Sequence, residues 1–125
     1  MANLGINNGR LMECPKTPNC VNSQAKDKGY FVQPFIVIGK SKNAQARLLK
    51  ILNEWKRVKI VVLQDHYIRA EFVSKVFRFV DDVEFYFPET DGEKTVIHVR
   101  SASRTGRSDF GVNRKRIEKI RSYLE

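Results

Sequence analysis

The stretch VFRFVDDVEFYF, residues 76–87, decides the fold class, because apolar and polar residues alternate along it as they do in a half-buried β-strand. One set of alternate positions is apolar and the other is mixed: Val83, Phe85 and Phe87 against Asp82, Glu84 and Tyr86. Asp81 and Asp82 interrupt the alternation that Phe77 and Phe79 begin, so we expect a β-bulge at this point. The stretch predicts a sheet with one apolar and one mixed face.

Three further β-like runs lie on either side of this stretch, at residues 58–63, 67–74 and 94–103. In the last of them, the apolar Ile97 and Val99 alternate with His98 and Arg100. The connectors QDH and PETDGE are short and rich in turn residues, which favours antiparallel hairpins. Parallel pairing would need much longer crossovers. The four runs therefore predict an antiparallel meander.

Two amphipathic helices complete the pattern. After a β-like run at 34–39 and a cap at Ser41 or Asn43, apolar residues recur at helical spacing over about 43–56: Ala44, Leu48, Ile51, Leu52 and Trp55. A last helix is expected from a cap at Ser108 or Asp109 to about Leu124, with an apolar seam of Phe110, Ile117, Ile120 and Leu124. The order β-α-β-β-β-β-α predicts a single two-layer α+β domain, a mainly antiparallel sheet with two helices on one face.

The length of 125 residues, with 42% hydrophobic and 30% charged, is typical of one globular domain. Residues 1–32 are rich in Asn, Gly, Lys and Pro without periodicity, so we expect an extended N-terminal arm packed on a domain of residues 33–125. The sequence has no apolar run of the length that a spanning helix needs and no secretory signal at its start. A cytoplasmic location is expected.

The net charge of +9 is concentrated in the last quarter of the chain, from Arg100 onward. This excess indicates an anionic partner, a small molecule or a protein, although a solvated helix face would carry the same charge. Nucleic acid is unsupported, because there is no RNP-type or helix-turn-helix pattern and most aromatic residues fall on the apolar phase. A membrane surface is also unsupported, because the sheet needs the apolar stripe of the last helix.

The segment CPKTPNCVNSQA, residues 14–25, contains both cysteines of the chain, Cys14 and Cys20. Five residues separate them, whereas a thioredoxin-like redox motif has two. A structural zinc site would need further ligands, and the chain offers only the isolated His66 and His98. We therefore expect no metal site and no cofactor. A proline-bent loop of this length allows a disulfide in an oxidising compartment and two thiols in a reducing one.

The same segment, together with YIRAEF, FRFVDDVEF and VRSASRTGRSDFGVNRKRIEKIR, resembles the family called domain of unknown function 1499 over about residues 11–124. The resemblance implies no particular activity, because the family has none assigned. It implies that members occur in bacteria and plastids, some with export signals or membrane segments. It also marks the residues of the family pattern: Cys14, Pro15, Pro18, Asn19, Cys20, Arg78, Asp81, Asp82, Glu84, Arg100, Ser101, Ser103, Arg104, Gly106, Ser108, Asp109, Gly111, Asn113, Arg114 and Ile117.

The segment RSASRTGRSDFGVNR, residues 100–114, predicts an anion-binding corner where a strand end, a glycine turn and a helix start meet. Its candidate ligand-binding residues, with one arginine from another strand in support, are Arg78, Arg100, Ser103, Arg104, Ser108, Asn113 and Arg114. The alternative is a structural corner, in which Ser108 and Asp109 cap the helix and Arg100 or Arg104 pairs with acidic residues of the neighbouring strand.

An enzyme is the rival hypothesis, an unrecognised hydrolase or lyase that uses the acidic face of Asp81, Asp82, Glu84 and His98. The nucleophile-elbow, zincin, P-loop and dinucleotide-binding motifs are absent from the sequence. In a regular strand Asp82 and Glu84 point to one face while Asp81 points to the other. With arginines nearby, these carboxylates are more typical of salt-bridge partners than of general acids. The sequence therefore favours a non-enzymatic module that binds an anionic ligand or partner.

Overall fold

The computed structural model of the chain describes residues 4–89, 92–105 and 111–125. The strands of these segments are β1 (Ile6–Asn7), β2 (Arg10–Leu11), β3 (Cys20–Asn22), β4 (Phe35–Ile38), β5 (Val58–Leu63), β6 (Tyr67–Val73), β7 (Val80–Tyr86) and β8 (Lys94–Ser103). The helices are α1 (Ser41–Glu54), between β4 and β5, and α2 (Val112–Leu124), after β8. No helix in the described part of the chain has the length and apolar character needed to cross a membrane.

The main sheet has the strand order β3-β8-β7-β6-β5, and neighbouring strands in this order are antiparallel. Strands β5 to β8 form the meander that the short connectors predicted. The other edge of β8 is shared by two strands, since β4 pairs with Lys94–Ile97 and β3 pairs with Arg100–Ala102. The predicted α+β class with a mainly antiparallel sheet is confirmed.

The core lies between one face of this sheet and the two helices. Alternate residues of β7 and β8 supply the sheet side, and Val83, Phe85, Ile97 and Val99 are all fully buried. The helices cover them with Ala44, Leu48 and Leu52 of α1 and with Ile117, Ile120 and Leu124 of α2. The apolar face of the sheet therefore packs against the apolar stripes of the helices in one interface, as two-layer packing requires.

The predicted β-bulge at Asp81 and Asp82 is wrong. The register between β6 and β7 is continuous from Tyr67↔Tyr86 to Val73↔Val80, and Phe77 and Phe79 lie in the turn before β7. Asp81 keeps its place on the helix side because the guanidinium Nη2 of Arg116 lies 2.8 Å from its carboxylate. The irregularity in register occurs instead in β5, between Ile60 and Val62.

Helix α2 begins at Val112, later than predicted, and its N-cap position is Gly111 in the left-handed conformation with φ of 79°. The left-handed region favours glycine because it has no Cβ. The expected cap at Ser108 or Asp109 and the seam residue Phe110 lie outside the described residues. The rest of the predicted seam is buried against the sheet.

The N-terminal segment crosses the face of the sheet that is opposite the helices. It starts with a β1–β2 hairpin whose turn residues Asn8 and Gly9 have φ of 54° and 74°, as a two-residue type I′ turn requires. A disulfide then joins Cys14 to Cys20, with 5.7 Å between their Cα atoms, and β3 enters the main sheet. The division of the chain at residue 32 stays a prediction, and Val21 and Val32 both contribute to the core.

Candidate functional site

The sheet face opposite the helices carries a ladder of charged side chains, which we call the polar face. It consists of alternate residues from β6, β7 and β8, with Arg104 just beyond β8: Arg69, Glu71, Asp82, Glu84, Arg100 and Arg104. The register places Arg69 opposite Glu84 and Glu84 opposite Arg100, so opposite charges face each other across neighbouring strands. Directly opposed pairs of this kind stabilise antiparallel sheets.

The outer part of the polar face is centred on Asp82. Arg104 donates to both oxygens of Asp82, from Nε at 2.9 Å and from Nη2 at 3.0 Å, and also to Glu71 at 2.7 Å. Arg69 donates to Asp82 at 3.1 Å. The hydrogen bond to Asp82 is the main reason why the pKa of Arg104 is raised above its ordinary value. This network is the pairing of Arg104 with an acidic residue of the neighbouring strand that the alternative of a structural corner described.

The inner part of the polar face is the buried pair of Glu84 and Arg100, whose side chains are 0% and 3% exposed. Glu84 Oε2 accepts hydrogen bonds from the Gly5 amide at 2.8 Å and from the Tyr67 hydroxyl at 2.5 Å. Burial, followed by the bond to Glu84, raises the pKa of Tyr67 above its ordinary value, so this hydroxyl stays a donor. Glu84 Oε2 therefore has two hydrogen-bond donors, while Oε1 faces the guanidinium of Arg100 only as an ion pair at 3.5 Å.

Arg100 is poorly satisfied for a buried guanidinium. Its Nη1 lies 3.5 Å from Glu84 Oε1, and its Nη2 donates to the Glu13 carbonyl over a long 3.4 Å. Its Nε, like Glu84 Oε1, is buried without a hydrogen-bond partner among the described residues. Burial lowers the pKa of Arg100 from its ordinary value. Leaving a buried donor unpaired is unfavourable, so this atom marks a place where an acceptor would be stabilising.

A cavity of about 1040 Å³ lies between the N-terminal segment and the polar face. We call it the arm cavity. One wall consists of Leu4, Gly5, Ile6, Met12 and Pro15, and the other of Val62, Gln64, Tyr67, Arg69, Glu71, Asp82, Arg100, Ala102, Ser103 and Arg104. Its volume is at the upper end of the range of small-molecule sites. The disulfide constrains the loop that contains Pro15, so it helps to position that wall.

The structure brings only part of the predicted anion-binding set to the arm cavity, namely Arg100, Ser103 and Arg104. Asn113 does not line the cavity, because it is fully buried, accepts from Ser101 Oγ at 2.5 Å, and donates to the Asn19 carbonyl at 3.1 Å and to Ser103 Oγ at 3.2 Å. Two further candidates do not join them, since Arg114 donates to the carbonyls of Phe31 and Gly29 and Arg78 lies in the exposed turn before β7. The candidate Ser108 lies outside the described residues.

The acidic set is also divided. Asp82 and Glu84 lie on the polar face with the arginines, whereas Asp81 lies on the helix side, as the strand periodicity predicted. His98 is on the polar face, and its Nδ1 is 2.9 Å from Ser23 Oγ. Ser23 Oγ also accepts from the Val99 amide at 2.8 Å, so it links the histidine ring to the backbone of β8. Burial and then the charge of Arg10 lower the pKa of His98.

Three lining residues of the arm cavity were missed in the sequence: Tyr67, Arg69 and Glu71. The signal was present in YIRAEF, because these three alternate with Ile68, Ala70 and Phe72, which are buried on the helix side. The wall formed by the N-terminal segment had no such signal. Its contacts join residues far apart in sequence, such as Gly5 and Glu84.

A family model described as a protein of unknown function, DUF1499, matches residues 10–124. The match includes the whole polar face, the disulfide loop and α2, and it leaves out Leu4, Gly5 and Ile6 of the arm cavity. No curated protein matches the chain.

Proposed function

The chain belongs to the DUF1499 family of proteins of unknown function, and from this premise we propose that it is a non-enzymatic binding module for a small anionic ligand, held in the arm cavity. The family match carries no activity with it. The proposal therefore depends on the chemistry of the cavity walls.

The observation that carries the proposal is the state of Arg100. A guanidinium has five N–H donors in a fixed plane, and those of Arg100 make one long hydrogen bond and one ion pair among the described residues. A ligand carboxylate or phosphate in the cavity would accept from this guanidinium in a region with little competing water. The pairing would replace an unfavourable buried donor by a charge-assisted hydrogen bond.

The remaining lining limits the ligand class. Leu4, Ile6, Met12 and Pro15 on the wall of the N-terminal segment give the cavity an apolar portion opposite the charged wall of the sheet. Small-molecule sites combine apolar walls with a few convergent polar groups that fix orientation. A ligand with one anionic head and an apolar body fits this division better than a highly charged polyanion.

Arg104 and Ser103 are assigned to the rim of the cavity. The Arg104 side chain is 48% exposed and already bound to Asp82 and Glu71, so an incoming anion competes with two carboxylates for it. Arg104 is therefore expected to attract and orient the ligand, whereas Arg100 supplies the principal contact.

The rival enzyme has less support from this geometry. Asp82 is bound by Arg69 and Arg104, and Glu84 is bound by Tyr67, Gly5 and Arg100, so both act as counter-ions. His98 is not among the described residues that line the arm cavity. A general acid or base must reach the reacting group directly or through one water.

The experiment is a thermal-shift screen of small carboxylates and phosphorylated metabolites, with anionic lipids and short oligonucleotides as separate arms. Each stabilising compound is retested on Arg104→Ala and on Arg100→Lys, which keeps the charge but removes the planar donor set. Met12→Trp narrows the cavity from the arm side and leaves the sheet untouched, in case Arg100→Lys does not fold. Arg114→Ala is the matched control, since it removes an arginine outside the cavity.

We expect the stabilisation to fall in Arg100→Lys, Arg104→Ala and Met12→Trp and to persist in Arg114→Ala, because ligand binding to the folded state is what raises stability. Equal loss in Arg114→Ala would place the anion site at the start of α2 instead. Turnover of a compound that is abolished by Asp82→Asn, with folding intact, would overturn the proposal in favour of the enzyme.

A further inference from the structure

The turn between β6 and β7, residues 74–79, presents large apolar side chains to solvent. Val76 is 76% exposed and Phe77 is 74% exposed, and the ring of Phe77 stacks on that of Phe79 with 5.5 Å between centroids. Exposed apolar residues are common singly, but several at one protruding turn mark an interaction site.

The turn is held in this conformation by its own hydrogen bonds. The Ser74 amide donates to the Phe79 carbonyl at 2.9 Å, and the Phe79 amide donates to Ser74 Oγ at 2.9 Å. Arg78 has φ of 58°, a conformation that turns the chain sharply between the two phenylalanines. The apolar side chains are therefore displayed by a closed turn, not by a frayed end.

Cations surround the base of the turn. The Val73 amide donates to the Arg57 carbonyl at 3.0 Å, and the Arg57 side chain donates from Nε to the Val73 carbonyl at 3.3 Å. Next to them, a cavity of about 370 Å³ borders Ser74 and contains five basic residues: Lys56, Arg57, Lys115, Arg116 and Lys119. No carboxylate lines this cavity among the described residues. Lys75 and Arg78 add two further cations within the turn itself.

We propose that this end of the sheet is a docking surface for an anionic lipid bilayer, with Val76 and Phe77 inserted between the lipids and the surrounding lysines and arginines at the level of the headgroups. Apolar burial and attraction to anionic lipid act together in such peripheral binding. The sequence had argued against a membrane surface on the basis of the last helix. The structure supplies the apolar element from a turn, so α2 keeps its apolar stripe for the core.

A bilayer fits this surface better than the other anionic partners. Phe77 and Val76 stand at a protruding tip, whereas a nucleic acid would need aromatic rings spread along a groove that follows its backbone. The net charge of +9 favours an anionic surface over a second copy of this chain, which would bring the same positive charge to the contact.

The test is co-sedimentation of the protein with vesicles of an equimolar mixture of phosphatidylcholine and phosphatidylserine, compared with vesicles of phosphatidylcholine alone. Phe77→Asp is compared with Ile38→Asp, which lowers the net charge by the same amount at a residue that is 82% exposed in β4. Lys56→Gln/Lys115→Gln is compared with Lys26→Gln/Lys28→Gln, a charge-matched pair in the N-terminal segment. Trp55, the single tryptophan, lines the basic cavity, so quenching of its fluorescence by brominated lipid gives a second readout.

We expect binding to the mixed vesicles, release by salt, and a loss of about tenfold or more in Phe77→Asp, because the inserted aromatic side chain would be replaced by a charge. Ile38→Asp and the lysine control should bind like the unchanged protein. Absence of binding to mixed vesicles, or equal losses in the matched controls, would overturn the proposal. So would a dimer in analytical ultracentrifugation that Phe77→Asp converts to a monomer, since the turn would then be a contact between two copies.

Discussion

Glu84 and Arg100 lie directly opposite each other on β7 and β8, and the carboxylate Oε1 of one is 3.5 Å from the guanidinium Nη1 of the other. Both side chains are withdrawn from solvent beneath the N-terminal segment. The relationship makes the middle of the polar face a structural centre as well as a wall of the arm cavity, and it predicts how the protein responds when one partner loses its charge.

Glu84→Gln should lower the free energy of unfolding by about 3–5 kcal/mol, because it leaves a buried guanidinium without its counter-ion. Urea unfolding of the variant and the unchanged protein measures the difference. Glu71→Gln is the matched control, since Glu71 and its partner Arg104 are both partly exposed and such pairs contribute about 0–1 kcal/mol. If the two variants unfold at the same urea concentration, the pair of Glu84 and Arg100 has no special structural role.

Stability should fall as the pH drops below about 6.5, the ordinary pKa of histidine. Because burial lowers the pKa of His98 in the folded protein, the unfolded chain takes up a proton there more readily, and protonation favours unfolding. The free energy of unfolding is measured by urea between pH 5 and pH 7.5, limits chosen around that pKa. Its rise with pH should be less steep in His98→Gln and unchanged in His66→Gln. If His98→Gln leaves the pH dependence of the free energy of unfolding unchanged, then His98 is not its source.

Cys14→Ser/Cys20→Ser should remain folded and lose about 2 kcal/mol of stability, the value that loop closure gives for so short a loop. The core between sheet and helices does not depend on the bridge. Urea unfolding with and without reductant checks this, and reductant should act on the unchanged protein but not on the variant. An unfolded variant would mean that the loop organises the whole domain.

Asn113→Ala should lower stability by about 1–3 kcal/mol and should affect ligand binding less than Arg100→Lys does, because it unpairs buried partners and contacts the rim of the arm cavity only through Ser103 Oγ at 3.2 Å. Ser101 Oγ and the Asn19 carbonyl would each lose a hydrogen bond. Asn43→Ala, at an exposed position of α1, is the comparison and should change little. If Asn113→Ala keeps its stability but loses ligand binding, then Asn113 is a ligand-binding residue, as the sequence predicted.

Local patterns explain why most of the sheet could be predicted. Strands β5 and β8 occupy the predicted runs at 58–63 and 94–103, because alternation and short connectors act between neighbours in sequence. Strand β3 was not predicted, since Cys20–Asn22 pairs with residues some eighty positions later and shows no alternation of its own. The dipeptide Asn8–Gly9 is a hairpin signal, but no alternating apolar strands flank it in the N-terminal segment.

The candidate site, like the sheet, could be predicted from the sequence only where it depends on local patterns. Pairing of Arg100 and Arg104 with Glu84 and Asp82 could be predicted because strand register brings alternate residues opposite one another. The arm cavity could not, because it depends on where the N-terminal segment crosses the sheet. Membership of a motif does not determine where a side chain lies. Arg114 directly follows Asn113 in the sequence, but it donates to the carbonyls of Gly29 and Phe31 and does not line the arm cavity.

The break in register between Ile60 and Val62 has a consequence for how molecules meet one another. Strand β5 is the last strand of the ladder on its side, so its outer backbone groups could template growth of the sheet into a neighbouring molecule. A bulge disrupts the regular spacing of these hydrogen-bonding groups, and the exposed Lys59 places a charge beside them. We therefore expect the irregularity to hinder fibril formation, and a variant that deletes Val61 should form fibrils more readily than the intact chain in a thioflavin T assay.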